Sequence, residues 1–398
     1  MNSIESALTT LALGQPVVLL DHVGRENEGD LICPAETITQ AIMAQMIQHG
    51  SGIVCLPMTA ARAKALALPL MVAENTALYH TNFTVSIDAK VGVSTGISAA
   101  DRVRTVQAAL QDQQQGNSLD RPGHLFPLVA HEHGVLARPG HTEGALDLVR
   151  LAGFEPMAVI CELMHADGTV MRQDALTRFA AEHDYVTVTI DDLIAYRWQH
   201  ESIVKLKVSS TLQLAHMGEV TMRLFYNPID QQESLLISKA TTHPHPLVRL
   251  HSACFTGDVL GSLHCDCQSQ LHKSMQLIAE QGGHLLYLPQ EGRGIGLANK
   301  LKAYNLQANG YDTVEANELL GFAPDLRDYA VAAQILHAIG VTNPRLLSNN
   351  PTKLAALKTL GITPTLVPLP GELTTHNQHY LATKQALGHL METVAYAE

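Results

Sequence analysis

Arg249-Leu-His-Ser-Ala-Cys-Phe-Thr-Gly-Asp-Val-Leu-Gly-Ser-Leu-His-Cys-Asp-Cys-Gln-Ser-Gln270 holds three of the chain's six cysteines, Cys254, Cys265 and Cys267. A strand leads into the stretch from the Pro-rich turn at 242–246, and a helix is predicted to leave it over about 266–281. The segment therefore reads as strand, polar loop, helix, the repeating unit of an α/β domain. Cys265 and Cys267 are two apart, which in extended backbone directs both sulfurs to one face, and Thr256-Gly257-Asp258 supplies a turn through which Cys254 returns to meet them. Three converging thiolates suit zinc with one coordination position left open. Two other readings fit the same spacing: a closed structural site with His251 or His264 as fourth ligand, and three buried thiols without metal.

Outward from that stretch, 398 residues are too many for one ordinary core and predict two domains of about 200 residues each. Hydrophobic residues make up 46% and charged ones 16%, and no apolar run approaches the roughly 18 residues that span a bilayer. Met1-Asn-Ser-Ile-Glu-Ser-Ala-Leu8 has no basic region ahead of an apolar one and reads as the start of a capped helix. A cytoplasmic protein without membrane contact is expected. Cys33, Cys55 and Cys161 stand singly in apolar strand contexts, which argues against a disulfide framework. The net charge of −12 divides unevenly, with 12 basic against 22 acidic residues in 1–200 and 14 against 16 in 201–398. Neither half offers the basic face that a nucleic acid demands. A small phosphorylated ligand asks for less: a few local cations and a helix N-terminus.

In the first half, a helix at 3–13 presents Ile4, Ala7, Leu8 and Leu11 on one face, and the buried strand Pro16-Val-Val-Leu-Leu-Asp21 follows. His22-Val-Gly-Arg-Glu-Asn-Glu-Gly-Asp30 is a polar loop that sets three carboxylates beside Arg25 before strand Leu31–Pro34. A solvated turn would explain that composition, but loops at strand ends of α/β domains are where ligands bind. Helices near 39–48, 59–67 and 98–110, the last capped by Ser98, alternate with strands Gly52–Leu56 and Phe83–Ile87. A polar surface loop is expected at 112–118. The tetrapeptide Arg-Pro-Gly-His occurs twice, at 121–124 and 138–141, and predicts a histidine just after a tight turn each time. His124 and His141 singly fit structural roles; together with Glu26 they could hold a hard divalent cation. His141-Thr142 opens a helix running to Ala152, whose first amides could accept a phosphate. Glu162 sits in the apolar strand Met157–Met164 and must have a partner or a raised pKa. A helix near 172–183, strand Tyr185–Ile190 and a helix from Asp191 complete this half, and composition shifts at 200–205.

The second half opens with strands Ile203–Val208, Glu219–Phe225 and Leu235–Ile237. Beyond the cysteines come strand His284–Leu288 and the loop Gln290-Glu-Gly-Arg-Gly-Ile-Gly296, ahead of a helix bearing Tyr304. That loop is neither a Walker loop nor a dinucleotide fingerprint, although its amides and Arg293 suit an anion. Asp325-Leu-Arg-Asp328, strand Arg345–Ser348, an amphipathic helix at 351–360, a strand at 362–368 and a helix from about 376 follow. The expected fold is α/β to α+β in two domains, 1–202 and 203–398, each a mixed sheet packed by helices.

Longer motifs add a resemblance. The second half resembles GTP cyclohydrolase II through Arg249-Leu-His-Ser, Cys254-Phe-Thr-Gly-Asp, Cys265-Asp-Cys, Glu291-Gly-Arg-Gly-Ile-Gly-Leu, Tyr311-Asp-Thr-Val-Glu-Ala-Asn, Asp325-Leu-Arg-Asp and Asn349-Asn-Pro-Thr-Lys353. The first half resembles 3,4-dihydroxy-2-butanone 4-phosphate synthase through Arg25-Glu-Asn-Glu-Gly-Asp30, His49-Gly-Ser-Gly-Ile-Val-Cys55, Ser98-Ala-Ala-Asp-Arg102, Arg121-Pro-Gly-His124 and Gly140-His-Thr-Glu143. Together they cover nearly the whole chain in the order found in bifunctional riboflavin biosynthesis proteins. The resemblance implies that the first half converts ribulose 5-phosphate to dihydroxybutanone phosphate and formate. Glu26 and His141 would ligate magnesium or manganese, Arg25, Glu26, Asp30, Arg138, Pro139, Gly140, His141 and Thr142 would hold the sugar phosphate, and His124 and Glu162 would move protons. The second half would hydrolyse GTP to a diaminopyrimidine ribosyl phosphate, formate and pyrophosphate, with zinc on Cys254, Cys265 and Cys267. By the same resemblance GTP contacts fall on Arg249, Leu250, His251, Ser252, Ala253, Gln270, Glu291, Gly292, Arg293, Thr313, Ser348 and Lys353. Arg327 would attack the α-phosphorus or stabilise its charge, with Asp325 as proton acceptor and Tyr304 assisting. A homodimer is implied as well. The alternative is one active half, the other being a structural or regulatory module.

Overall fold

The structure, a computed structural model, describes residues 3–113 and 115–369 together with Gln385 and Gly388. The helix expected from about 376 lies outside the described residues. The chain divides between Arg197 and Trp198 into two compact units.

The first unit runs α1 (Ser3–Ala12), β1 (Val17–Leu20), β2 (Gly29–Pro34), α2 (Gln40–His49), β3 (Cys55–Met58), α3 (Ala60–Ala65), β4 (Ile87–Ala89), α4 (Ala99–Gln111), β5 (Leu119–Val129), α5 (His141–Leu151), β6 (Ala158–Glu162), α6 (Asp174–Glu182) and β7 (Thr187–Thr189), reaching α7 (Ile190–His200). Its seven strands form one mixed sheet in the order β4-β5-β3-β6-β2-β1-β7. Strand alternation supplies both faces. Val18, Leu31 and Cys33 join Ile42, Met43 and Met46 of α2, Val106 of α4 and Phe179 of α6 on one side. Val17, Leu19 and Ile32 join Ile4 and Leu11 of α1, Leu148 of α5 and Leu193 of α7 on the other. The result is a sheet between two helical layers, as continuous apolar strands require.

The second unit contains β8 (Lys205–Leu214), β9 (Gly218–Asn227), β10 (Gln232–Lys239), β11 (Leu247–Ser252), α8 (Cys267–Gln281), β12 (Gly283–Leu288), α9 (Gly296–Ala308), α10 (Thr313–Leu319), α11 (Ala330–Ala338), β13 (Arg345–Leu347), α12 (Pro351–Thr359) and β14 (Thr365–Val367). Its sheet order is β14-β13-β11-β12-β10-β9-β8. An antiparallel meander, β8 to β10, continues into four parallel strands. The carboxyl ends of β13, β11 and β12 are thereby neighbours. Residues 348–350, the cysteine loop and the glycine-rich loop all leave from that end, the place where open α/β sheets bind ligands.

Several sequence expectations change. Arg121–His124 is no turn: it lies inside β5, where the register against β4 slips between Ile87 and Asp88. Gly123 explains the slip, because a Cβ there would come 2.0 Å from the Ile87 carbonyl carbon, so only glycine allows the two backbones so close. The second copy does turn, with Gly140 immediately before α5. β3 starts at Cys55 rather than Gly52, and the strand expected at 83–87 is reduced to bridges at Phe83 and Thr84 ahead of β4. Helices α10 and α11 went unread. In α11 Ala330, Ala332, Ala333, Ile335 and Leu336 are all buried, and Gln334 and His337 alone mark its polar side, a short signal for periodicity to detect. Among the described residues no helix is long and apolar enough to cross a membrane.

Candidate active sites

In the first unit the β1–β2 connection meets the start of α5. Asp21, Glu26 and His141 bring ligand atoms within 4.8 Å of one another, and His141 Nδ1 lies 3.6 Å from Glu26 Oε2 and 3.7 Å from Asp30 Oδ1. His141 Nε2 and Asp30 Oδ1 are buried without a hydrogen-bond partner. Burial pushes the Asp30 carboxyl up to about 7. Burial also pulls His141 down, but Asp30 and Glu26 outweigh it and raise the imidazole to about 9. One buried carboxylate oxygen and one imidazole nitrogen left unsatisfied beside further carboxylates are a fit for a hard divalent cation.

Two arginines close on the same place. Arg25 bonds Asp21 at 2.8 Å and Glu26 at 2.5 Å and lies 4.7 Å from the centre of the Tyr79 ring. Arg138 bonds Glu143 at 2.5 Å and both the Tyr79 carbonyl and Thr81 Oγ1 at 2.9 Å. A Cβ on Gly140 would stand 2.6 Å from Arg138 and 3.2 Å from Arg25, so the bare backbone after Pro139 lets both guanidinium groups converge where the amides of His141 and Thr142 open α5.

His124 and Glu162 hold separate partners. Asp88 Oδ2 is 2.7 Å from His124 Nδ1, and Ser51 Oγ donates to Glu162 Oε2 at 2.7 Å, which meets the expectation of a partner for that carboxylate. The sheet nevertheless aligns them. Phe126, Cys55 and Ile160 are level across β5, β3 and β6; His124 and Glu162 each lie two residues further toward one end, and Asp30 is directly opposite Glu162. With strands about 4.8 Å apart, His124 and Glu162 are about 10 Å apart across the sheet.

In the second unit Cys254 follows β11 and enters a single wide turn, Phe255–Val259; Cys265 lies just ahead of α8, and Cys267 is its first residue. The extended backbone expected at 265–267 is therefore corrected: a turn and a helix start, not a strand, bring the sulfurs together. Their ligand atoms lie within 4.8 Å of one another, with Cys254 and Cys265 Sγ 3.7 Å apart. A Cβ on Gly257 would stand 2.8 Å from Cys265 Sγ and 3.0 Å from Cys254 Sγ, so glycine leaves the sulfur pocket open. Hydrogen bonds from Cys265 and Cys267, helped by Lys300, pull the Cys254 thiol down, and that thiolate pushes Cys265 up to about 11. A donor set of three crowded sulfurs fits a borderline-soft cation. His251 is engaged elsewhere, with Nε2 3.0 Å from both Asp258 oxygens, and the His264 ring stands 5.7 Å from Tyr304.

The sulfurs face a cavity of about 510 Å³. It is lined by Arg249, His251, Ser252, Ala253, Gln270, Glu291, Gly292, Arg293, Tyr304, Thr313, Arg327, Ser348 and Lys353, all anticipated from sequence. Leu250 is not in the lining: strand alternation turns it into the core, where it is 1% exposed, and its carbonyl accepts from Lys353 Nζ at 2.9 Å. Asp325 also stands outside the lining and grips Arg327 with both oxygens, at 2.8 and 2.5 Å. Arg293 adopts φ +61°, a left-handed conformation rare outside glycine and concentrated at functional sites. Sequence reading passed over Asp21, Asp88 and Lys300 and gave Asp258 only a place in a turn. Asp21 ends a buried strand and Asp88 interrupts one, a detectable signal; Lys300 gave none.

Two separate units, each gathering protonatable and metal-competent side chains at a sheet end, define a two-domain enzyme. Comparison with known proteins narrows that class. Residues 5–196 match the 3,4-dihydroxy-2-butanone 4-phosphate synthase family and residues 205–365 match GTP cyclohydrolase II. Riboflavin biosynthesis protein RibBA of Synechocystis sp. is 48% identical over 98% of this chain and 71% of its own length; the RibBA of Bacillus mycoides is 49% identical over 98% of both. A crystal structure of RibBX, a two-domain 3,4-dihydroxy-2-butanone 4-phosphate synthase from A. baumannii, is 32% identical with a TM-score of 0.68, covering 92% of this chain and 99% of that one. The chain belongs to the RibBA family of bifunctional riboflavin biosynthesis enzymes, with a synthase domain followed by a GTP cyclohydrolase II domain.

Proposed function

We propose that the two reactions divide between the sites as follows. In the synthase domain, Arg25, Arg138 and the amides of Gly140, His141 and Thr142 hold the phosphate of ribulose 5-phosphate, while Glu26 and His141, with Asp21 beside them, hold magnesium or manganese. The metal supplies polarisation of adjacent carbonyl and hydroxyl oxygens. His124, oriented by Asp88, and Glu162, oriented by Ser51, act from one row of the sheet as the acid–base pair that moves protons along the carbon chain, and Asp30 completes the polar wall.

In the cyclohydrolase domain, Cys254, Cys265 and Cys267 would hold zinc. Bound there, zinc would supply Lewis acidity for the hydrolytic opening of the imidazole ring of GTP. Arg249, Arg293, Arg327 and Lys353 balance the triphosphate, and Gln270, Glu291 and Ser348 meet the polar edges of the nucleotide. Arg327 acts by charge: a guanidinium clasped by both Asp325 oxygens stays protonated, and it stabilises the phosphorus centre rather than attacking it. The Asp325 carboxyl is lifted by burial but drawn lower by Arg327, so it steers the guanidinium and is a weak base. The observation that carries this half is the cavity itself, with three sulfurs and four anticipated cations on one wall system of nucleotide size.

Formate release from ribulose 5-phosphate and from GTP, supplied separately, tests both halves. Glu26→Ala should abolish the first and spare the second; Cys265→Ser should do the reverse. Loss of both activities in either variant, or formate from only one substrate in the wild type, would overturn the division. We read the chain as a cytoplasmic homodimer acting on small molecules, a state sedimentation can check.

A further inference from the structure

Lys300, on α9, sits where the two loops of the second cavity meet. Its Nζ lies 3.1 Å from Cys254 Sγ, 2.9 Å from Thr256 Oγ1 and 2.7 Å from Glu291 Oε1, and its side chain is 11% exposed. An ammonium has three protons and no acceptor, so these contacts use it fully. Glu291 closes the circuit, because its other oxygen accepts the Phe255 N–H at 2.6 Å. Lys300 and Glu291 thus hold the cysteine loop at two successive residues, the Cys254 thiol and the Phe255 amide. Thr256 supplies a third hold and is itself 3.2 Å from the Tyr304 hydroxyl.

The placement is more than charge neutralisation. A cation needed only to offset a thiolate could stand anywhere near the sulfur. Here one nitrogen is shared between a sulfur of the cluster and a carboxylate of the loop that lines the nucleotide cavity. A shift at either partner therefore reaches the other through a single atom held at hydrogen-bond distance from both. Groups that fix metal ligands from behind commonly matter to metal affinity nearly as much as the ligands do.

We infer that Lys300 is a positioning residue that ties metal retention at Cys254 to the placement of Glu291, and through Glu291 to binding of the guanine nucleotide. The inference rests on the zinc and GTP reading of this cavity. Full-length wild type, Lys300→Met, Lys300→Arg and Glu291→Gln, each loaded with zinc, are titrated with a colorimetric chelator, and kcat and KM for GTP are measured alongside. Lys300→Met should surrender zinc about 10- to 100-fold more readily and raise KM for GTP more than it lowers kcat. Lys300→Arg, which keeps a charged donor, should recover part of the retention. Glu291→Gln touches no sulfur, yet should loosen zinc in the same direction by a smaller factor. Melting of the zinc-stripped proteins and formate release from ribulose 5-phosphate report on folding; if stripped Lys300→Met melts early, Lys300→Arg and Glu291→Gln decide. Wild-type retention in Lys300→Met, or in Glu291→Gln, would overturn the coupling while leaving the zinc site standing. A wild-type chain that takes up no zinc would overturn the site reading together with the coupling.

Discussion

The two halves release the same small acid from phosphorylated substrates through opposite kinds of donor. The first gathers Asp21, Glu26, Asp30 and His141, hard oxygens and an imidazole, around a spot framed by two arginines. The second gathers three sulfurs at the edge of a cavity of about 510 Å³. The difference follows substrate size and chemistry. Under the proposed function a five-carbon sugar phosphate presents adjacent oxygens, which would suit an oxygen-seeking ion. The imidazole ring of GTP, under the same proposal, needs an activated water, and an ion held by thiolates would supply the Lewis acidity for it. The largest effect should therefore come from metal exchange. Stripping all divalent metal should lower both formate activities by about 1000-fold or more. Magnesium or manganese alone should restore the first and zinc alone the second. Restoration of both by magnesium would break the comparison, and formate release under each single metal decides it.

A second difference lies in how each half aims its polar groups. The second site clasps its arginine with Asp325, whereas the first aims a histidine with Asp88, whose two oxygens take His124 Nδ1 at 2.7 Å and the His124 N–H at 3.0 Å. The carboxylate fixes which ring nitrogen faces the substrate. Asp88→Asn should keep the geometry while spoiling the tautomer, and kcat for ribulose 5-phosphate should fall about 10- to 100-fold, within the range of acid–base contributions. KM should move little and GTP turnover not at all. A kcat equal to wild type would show that His124 needs no orienting partner.

How legible all this was in the sequence depended on distance along the chain. Cys254, Cys265 and Cys267 lie within fourteen positions, so their spacing announced a cluster, yet the backbone imagined for Cys265 and Cys267 was wrong because a helix start and a strand can serve the same purpose. Arg-Pro-Gly-His124 misled for a related reason: Pro-Gly usually turns, but Gly123 is there to let β5 cross close to Ile87. Helix α11 hid because only Gln334 and His337 interrupt a short, alanine-rich apolar run. Partners such as Asp88 and His124, 36 positions apart, or Lys300 and Cys254, 46 apart, meet only after the sheet has formed. Local pattern carries elements and the resemblance carries motifs, but neither carries the long-range contacts that aim a side chain.

The smallest effect concerns stability and tests whether the halves differ outside their sites. His141 is buried among carboxylates and raised, whereas His284 on β12 is half-buried near Arg223 and its pKa is pushed down to about 4, first by desolvation and then by that charge. Ser238 Oγ meets its Nδ1 at 2.9 Å. A histidine held neutral in the fold but protonated near 6.5 when unfolded means that the unfolded chain binds more protons between pH 4 and 6.5. Stability should therefore be intact above about 6.5 and fall as the solution is acidified toward 4, by on the order of 1–3 kcal/mol once partial solvent contact is allowed for. His284→Gln removes the titration and keeps a polar group for Ser238, so melting curves recorded from pH 7 to 4.5 should show a shallower acid decline than wild type. Parallel declines would mean that the acid sensitivity arises elsewhere, and the contrast between the two histidines would then carry no thermodynamic weight.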